Sequence, residues 1–325
     1  MHSCWGTFEW IVWDAFEKGY RVGIVGNSDG HKGRPGADFP GASFFGSQGG
    51  LTCFIAPRLD RDAIFDAMRR RHHFATTGNR MLLDLAVTCP SDATVFLENP
   101  PGHGGRTETA RRLMMGDVAR VDCDAVTLDV EVVGSAPIER LDILRGREVL
   151  ETIRPFAAPD LGRRVRMTME GAEYRGRART TTWDGSLRVS GNRIERAEMF
   201  NNWNLYRGIQ SVSADGVSWK AVTTGNTCGI DFLLGDAAGG ELAIETKHVS
   251  TKLAVDDIGL DDMVLDGGGL ERMIKFYRLP NAPDVTRITH SMEIPLLDTG
   301  DTPVFVRVIQ ADGHKAWSSP VYLFR

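Results

Sequence analysis

The first ninety residues carry apolar positions at two different spacings. In "TFEWIVWDAFEK", Thr7 to Lys18, the residues Phe8, Ile11, Val12, Ala15 and Phe16 fall on one broad face and predict a helix, with Thr7 as N-cap and Gly19 as its stop. A buried strand is expected over 21–26, and "GLTCFIAP" at 50–57 reads as a second short apolar strand. "LDRDAIFDAMRRR" predicts another helix, with Asp60 as its N-cap and Arg69, Arg70 and Arg71 in the last turn, where they complement the helix dipole. "HFATTG" then returns to strand. The order helix, strand, strand, helix, strand fits α/β architecture.

Beyond about residue 115 the period falls to two. "VTLDVEVVG", "ERLDILRG", "RRVRMTM", "SLRVSG", "ELAIETK", "RMIKFYRL", "VTRITHSMEI", "PVFVRVIQ" and "AWSSPVYLF" are short alternating segments separated by Gly, Asp or Pro. They predict an antiparallel sandwich or a pair of packed sheets. "NPPGHGGRTETARR" at 99–112 reads as a linker. The expected organisation is an α+β chain, with a β/α unit over 1–115 and a β-rich domain over 116–325.

Composition narrows the partners rather than the fold. With 325 residues and 42% hydrophobic content, either unit can bury a core. The formal net charge of −5 and scattered basic residues, apart from "RRRHH" at 69–73, give no reason to expect nucleic acid or an anionic membrane. Five cysteines without a C-x-x-C pair indicate neither a disulfide framework nor a zinc knuckle. "MHSCWGTFEW" runs straight into periodic apolar sequence with no basic leader or cleavage site, a start that predicts a fragment or a late start codon. No stretch approaches the roughly 18 uninterrupted apolar residues of a membrane helix. The compartment is left open.

Candidate chemistry gathers in "GIVGNSDGHKGRPGADFPG", 23–41. Asp29 and His31, two residues apart past a predicted strand, can converge on one ion, and an oxygen with a nitrogen ligand suits zinc, manganese or iron. The competing reading is that Asp29-Gly30 is only a turn, with His31 exposed. "DGHK" recurs at 312–315, where Asp312-Gly313 carries the two-residue signal of a hairpin. Lys32 and Arg34 are placed to grip an anionic substrate, or else belong to a solvated loop. His2, Cys4 and Glu9 at the start are further possible ligands. His72 and His73 follow an arginine run, and as neighbours they send their rings in different directions.

Taken together, "SCWGTFEW", "GYRVGIVGNSDGHKGRPGADFPGAS", "GGLTCF", "IFDAMRRRHHFATTGNRMLLDL" and "VRVIQADGHKAWSSPVYL" resemble the bacterial domain of unknown function 3604 (DUF3604) family. That family is similar to the PHP (polymerase and histidinol phosphatase) superfamily of metal-dependent phosphoesterases. The resemblance implies the last units of a distorted β/α barrel with a two- or three-metal cluster, followed by a mostly antiparallel, sandwich-like domain. Its closing Asp-x-His motif matches Asp29 and His31, and "SCWGTFE" stands where relatives carry a ligand-bearing loop, so that either Cys4 or Glu9 corresponds to a ligand. The opening His-x-His motif and the middle Glu and His ligands belong upstream.

The function this implies is the C-terminal portion of a metal-dependent hydrolase, with a divalent zinc, manganese or iron ion activating water against a small anionic phosphoester. With ligands missing it would be inactive alone, and uncovered strand edges would favour association. The competing readings are a non-catalytic β-rich binding or interaction module and a metal hydrolase of another bond type.

Overall fold

Period-two alternation governs far more of the chain than its first third suggested. The computed structural model describes residues 1–31, 45–98, 105–176 and 179–325. A twelve-stranded sheet runs in the order Arg287–Pro295, Ala125–Val133, Leu82–Phe96, Val118–Arg120, Val321–Phe324, Thr302–Gln310, Lys315–Ser318, His73–Thr76 and Leu51–Phe54. Thr107–Met114 pairs with Leu82–Phe96, and Ile138–Arg145 lies against Thr302–Gln310 and carries Glu148–Ile153. Strands from both sides of residue 115 therefore share one ladder. Its apolar face holds Leu85, Val87, Leu128, Val130, Ile143 and Val306, all buried.

Two five-stranded sheets form a sandwich beside it. One runs Ile194–Phe200, Thr227–Leu234, Arg164–Ala172, Leu270–Leu279 and Met263–Asp266, and the other Gly208–Ser213, Gly216–Lys220, Gly185–Ser190, Glu241–Thr246 and Ser250–Ala254. Val165, Met167, Met169, Trp183, Trp219, Ile230, Phe232 and Phe276 fill the space between them. Because side chains alternate along a strand, the same arrangement turns Arg166, Thr168 and Glu170 to the outer face. That face meets the large sheet, whose Thr302–Gln310 strand sends Val304, Val306 and Val308 into its own core and Arg307 the other way. The two units thus meet across a layer of charged side chains.

Two α-helices occur among the described residues, α1 at Glu9–Glu17 and α2 at Arg61–Arg69. The sequence assigns α2 well: Asp60 accepts a hydrogen bond from Ala63 N at 2.8 Å. For α1 the N-cap is Phe8, without a side-chain bond, since Thr7 belongs to a short strand and spends its hydroxyl on His2. Gly6 and Gly225, at φ +135° and +84°, allow this N-terminal hairpin to lie against 224–225; a Cβ on either would come within about 2.1 Å of a backbone oxygen.

The expected β/α barrel is not present among the described residues. A barrel needs parallel strands joined by crossover helices, whereas α2 connects Leu51–Phe54 to His73–Thr76, which pair antiparallel. The predicted strand over 21–26 is an extended segment with a single bridge, from Gly26 to His2. Ile24 is buried through contacts with side chains: its N–H donates to Ser319 Oγ at 3.0 Å and its carbonyl accepts from His73 Nδ1 at 2.9 Å. No helix of the described residues is long and apolar enough to cross a membrane.

Candidate functional site

Of the residues singled out as metal ligands, Cys4, Asp29 and His31 meet at one turn and Glu9 stands apart from them. Asp29 sits at φ +47° and is exposed, and the atom at the centre of its turn is the backbone carbonyl. That oxygen accepts from His31 Nδ1 at 2.9 Å, Trp5 Nε1 at 3.0 Å and Cys4 Sγ at 3.6 Å. Glu9 lies elsewhere, its carboxylate taking Trp317 Nε1 at 2.8 Å and Arg307 Nη1 at 3.0 Å. His72 is bound to Asp117 at 2.8 Å, and His73 faces Ile24 and Ser319. Lys32 and Arg34 lie outside the described residues. Gly26 to Gly30 also spells Gly-x-Ser-x-Gly, the spacing of a nucleophile elbow. Ser28 Oγ accepts from Gly30 N at 3.5 Å, and no histidine bonds it among the described residues.

Among the described residues no group of three or more His, Cys, Asp or Glu side chains is arranged to hold a metal ion. Two exposed side chains of a turn do not make up the three or four ligands a hydrolytic zinc or manganese site requires. The expected divalent metal and the phosphoesterase chemistry built on it are therefore set aside.

His2 has a structural role. Its Nε2 faces the Gln48 carbonyl and its Nδ1 the Thr7 hydroxyl, both at 2.8 Å, which fits a neutral ring protonated on Nε2. Burial pushes its pKa down to about 3. The unfolded chain takes up this proton near pH 6.5 and the folded chain only near 3, so stability is lost as pH falls through that window. We expect His2→Asn to flatten the decline between pH 6.5 and 4, by up to about 1.4 kcal/mol per pH unit, in urea unfolding. An unchanged slope would remove His2 as its source.

The built polar site lies at the seam between the large sheet and the sandwich. Register there steps from Ile309↔Arg140 to Gln310↔Ile138, leaving Glu139 as an extra residue that turns into the seam together with Arg140. Glu139 accepts from Arg140 Nη2 at 3.0 Å and Arg166 Nη1 at 2.6 Å, and Arg166 Nε reaches Asp231 at 2.7 Å. Arg307 bonds Asp142 at 2.8 Å as well as Glu9. Lys275 pairs with Glu170 at 3.2 Å, and Lys315 Nζ donates to Thr227 Oγ1 at 2.8 Å.

A cavity of about 260 Å³ opens on this layer, lined by Phe8, Glu9, Trp10, Glu170, Glu271, Lys275, Arg307 and Lys315. A void of about 50 Å³ shares Glu170, Lys275, Arg307 and Lys315 with it and has room for a few waters. Burial alone would raise the Glu170 carboxyl, but Lys275, Lys315 and Arg140 hold it well below the usual carboxylate range. Burial pulls the Lys315 ammonium down, against the opposing pull of Glu170 and Glu9. Glu170 is thus a fixed acceptor rather than a group poised to exchange protons near neutrality.

Lys315 comes from the second "DGHK", the copy read as a turn. Asp312 and Gly313 do form that turn, with Gly313 at φ +86°. The strand that follows points Lys315 and Trp317 toward Glu170 and Glu9 while Ala316 enters the core. The signal that could have found the seam is a charged residue at every second position of apolar strands, as with Arg307 in "PVFVRVIQ" and Lys275 in "RMIKFYRL".

A family model described as a protein of unknown function (DUF3604) matches residues 37–89. No curated protein matches the chain. The matched stretch is less than a fifth of the 325 residues and contains none of the cavity residues. The wider resemblance to PHP phosphoesterases does not survive a fold that, among the described residues, is sheet-dominated, with two short helices and no metal-holding cluster.

Proposed function

We propose that the chain is a β-rich, non-catalytic binding module that holds a small polar ligand in the seam cavity. The observation carrying this reading is that Glu9, Glu170, Lys275 and Arg307 are held by internal partners, giving a rigid donor and acceptor surface around an open space. Such pre-formed, convergent polar groups are what a ligand pocket needs. Glu170 is kept ionised and Glu9 is spent on Arg307 and Trp317, so neither is set up as a general acid or base.

The test is titration of the full chain with neutral sugars, sugar acids, amino acids and inorganic phosphate, followed by tryptophan emission, because Trp10 lines the cavity. Mass spectrometry of the recovered ligand runs alongside. Saturable binding with unchanged ligand is expected. Binding by no member of the panel, or conversion of the one bound, would overturn the proposal.

A further inference from the structure

We infer that the ligand of the seam cavity is a neutral polyhydroxylated ring, a monosaccharide or cyclic polyol, an inference that rests on reading the cavity as a binding site. Four cations line it, Arg147, Lys275, Arg307 and Lys315. Three carboxylates, Glu9, Glu170 and Glu271, stand among them. Charge is so nearly balanced that the cavity offers little net field to an anion or a cation. Donors alternating with acceptors instead suit hydroxyl groups, each of which both donates and accepts.

Glu271 supplies the specific feature. It stands at the exposed mouth at φ +51°, a backbone conformation that side chains other than glycine rarely adopt. Its carboxylate makes no hydrogen bond or ion pair among the described residues, unlike Glu9 and Glu170. Strain of this kind collects where a side chain is positioned for binding. Although Glu271 is exposed at the mouth, the surrounding walls desolvate its carboxyl in part, and this together with the nearby Glu9 raises its pKa, so hydroxyl donors from a ligand would favour its charged form. Two oxygens of one carboxylate can take two adjacent hydroxyls of a ring, and Lys315 and Lys275 can donate to the oxygens on its far side. Phe8 and Trp10 give the C–H faces an apolar wall, and a volume of about 260 Å³ is at the small end for a ligand pocket, which favours one ring over a chain.

The experiment is isothermal titration and saturation-transfer NMR on the full chain and on Glu271→Gln, using glucose, galactose, myo-inositol, glucuronate and glutamate as probes. At least one neutral ring is expected to bind the wild-type chain, with affinity falling roughly tenfold or more in Glu271→Gln. Glu271 is exposed, and equal melting temperatures for the two proteins would confirm that the variant is folded. Equal neutral-ring affinity in both would overturn the inference by placing the ligand away from Glu271. Binding of glucuronate or glutamate in place of every neutral ring would overturn the ligand class and leave the binding-module reading standing. Binding of no probe, together with a blank in the broader tryptophan titration, would overturn both.

Discussion

Replacing Glu139 with Ala is expected to cost about 3–5 kcal/mol of folding stability, the range for removing one partner of a buried ion pair. Glu139 is 1% exposed and shares its two oxygens between Arg140 and Arg166, itself 1% exposed. Without it Arg166 keeps Asp231 and the Ala311 carbonyl, while Arg140 keeps Asp262, so two guanidinium groups stay buried with part of their charge uncompensated. Asp92, paired with Arg111 on the surface with both side chains more than 60% exposed, is the comparison: Asp92→Ala should cost no more than about 1 kcal/mol. Urea unfolding of the two variants measures the difference. Similar small losses would show that the seam network does not couple the units.

The second large effect is expected at Trp183, inside the sandwich. It is fully buried, donates through Nε1 to Thr223 Oγ1 at 2.9 Å, and its carbonyl accepts from Trp219 Nε1 at 2.6 Å. Trp183→Ala leaves a void in the core between the two five-stranded sheets, beside Trp219, and should cost about 3–5 kcal/mol. Trp183→Phe keeps most of the volume and loses the hydrogen bond, and it should fall between the variant and the parent. Thermal and urea melts decide. A loss under about 1 kcal/mol for the alanine variant would mean that the two five-stranded sheets are not held by this core.

Local order was legible in the sequence where the chemistry is local. The Asp60 cap and α2, the strand Leu51–Phe54, the turn at Asp312-Gly313 and the period-two run beyond residue 115 all depend on neighbours a few residues apart. Thr7 was misread because its hydroxyl has a better partner in His2 than in the first turn of the helix. The apolar run around Ile24 looked like a barrel strand, but it is buried under His73 and Ser319, which are 49 and 295 residues away in sequence.

The site was illegible for the same reason. Glu9 meets Arg307 across 298 positions, and Arg166 meets Glu139 only because a bulge turns Glu139 into the seam. A short motif such as Asp-x-His is visible in one dimension and so attracts attention. A seam assembled from alternate residues of distant strands has no contiguous signature.

The most direct test of the account repeats the tryptophan titration, with the same panel, on Lys315→Met and His31→Ala beside the parent chain. Lys315 is inside the cavity and His31 is on the exposed turn closed by the Asp29 carbonyl. Whichever panel member binds the parent is expected to lose at least tenfold in affinity with Lys315→Met and to be unaffected by His31→Ala, with both variants folded. Loss of binding in His31→Ala with full retention in Lys315→Met would contradict this and return the functional centre to the Asp29–His31 turn.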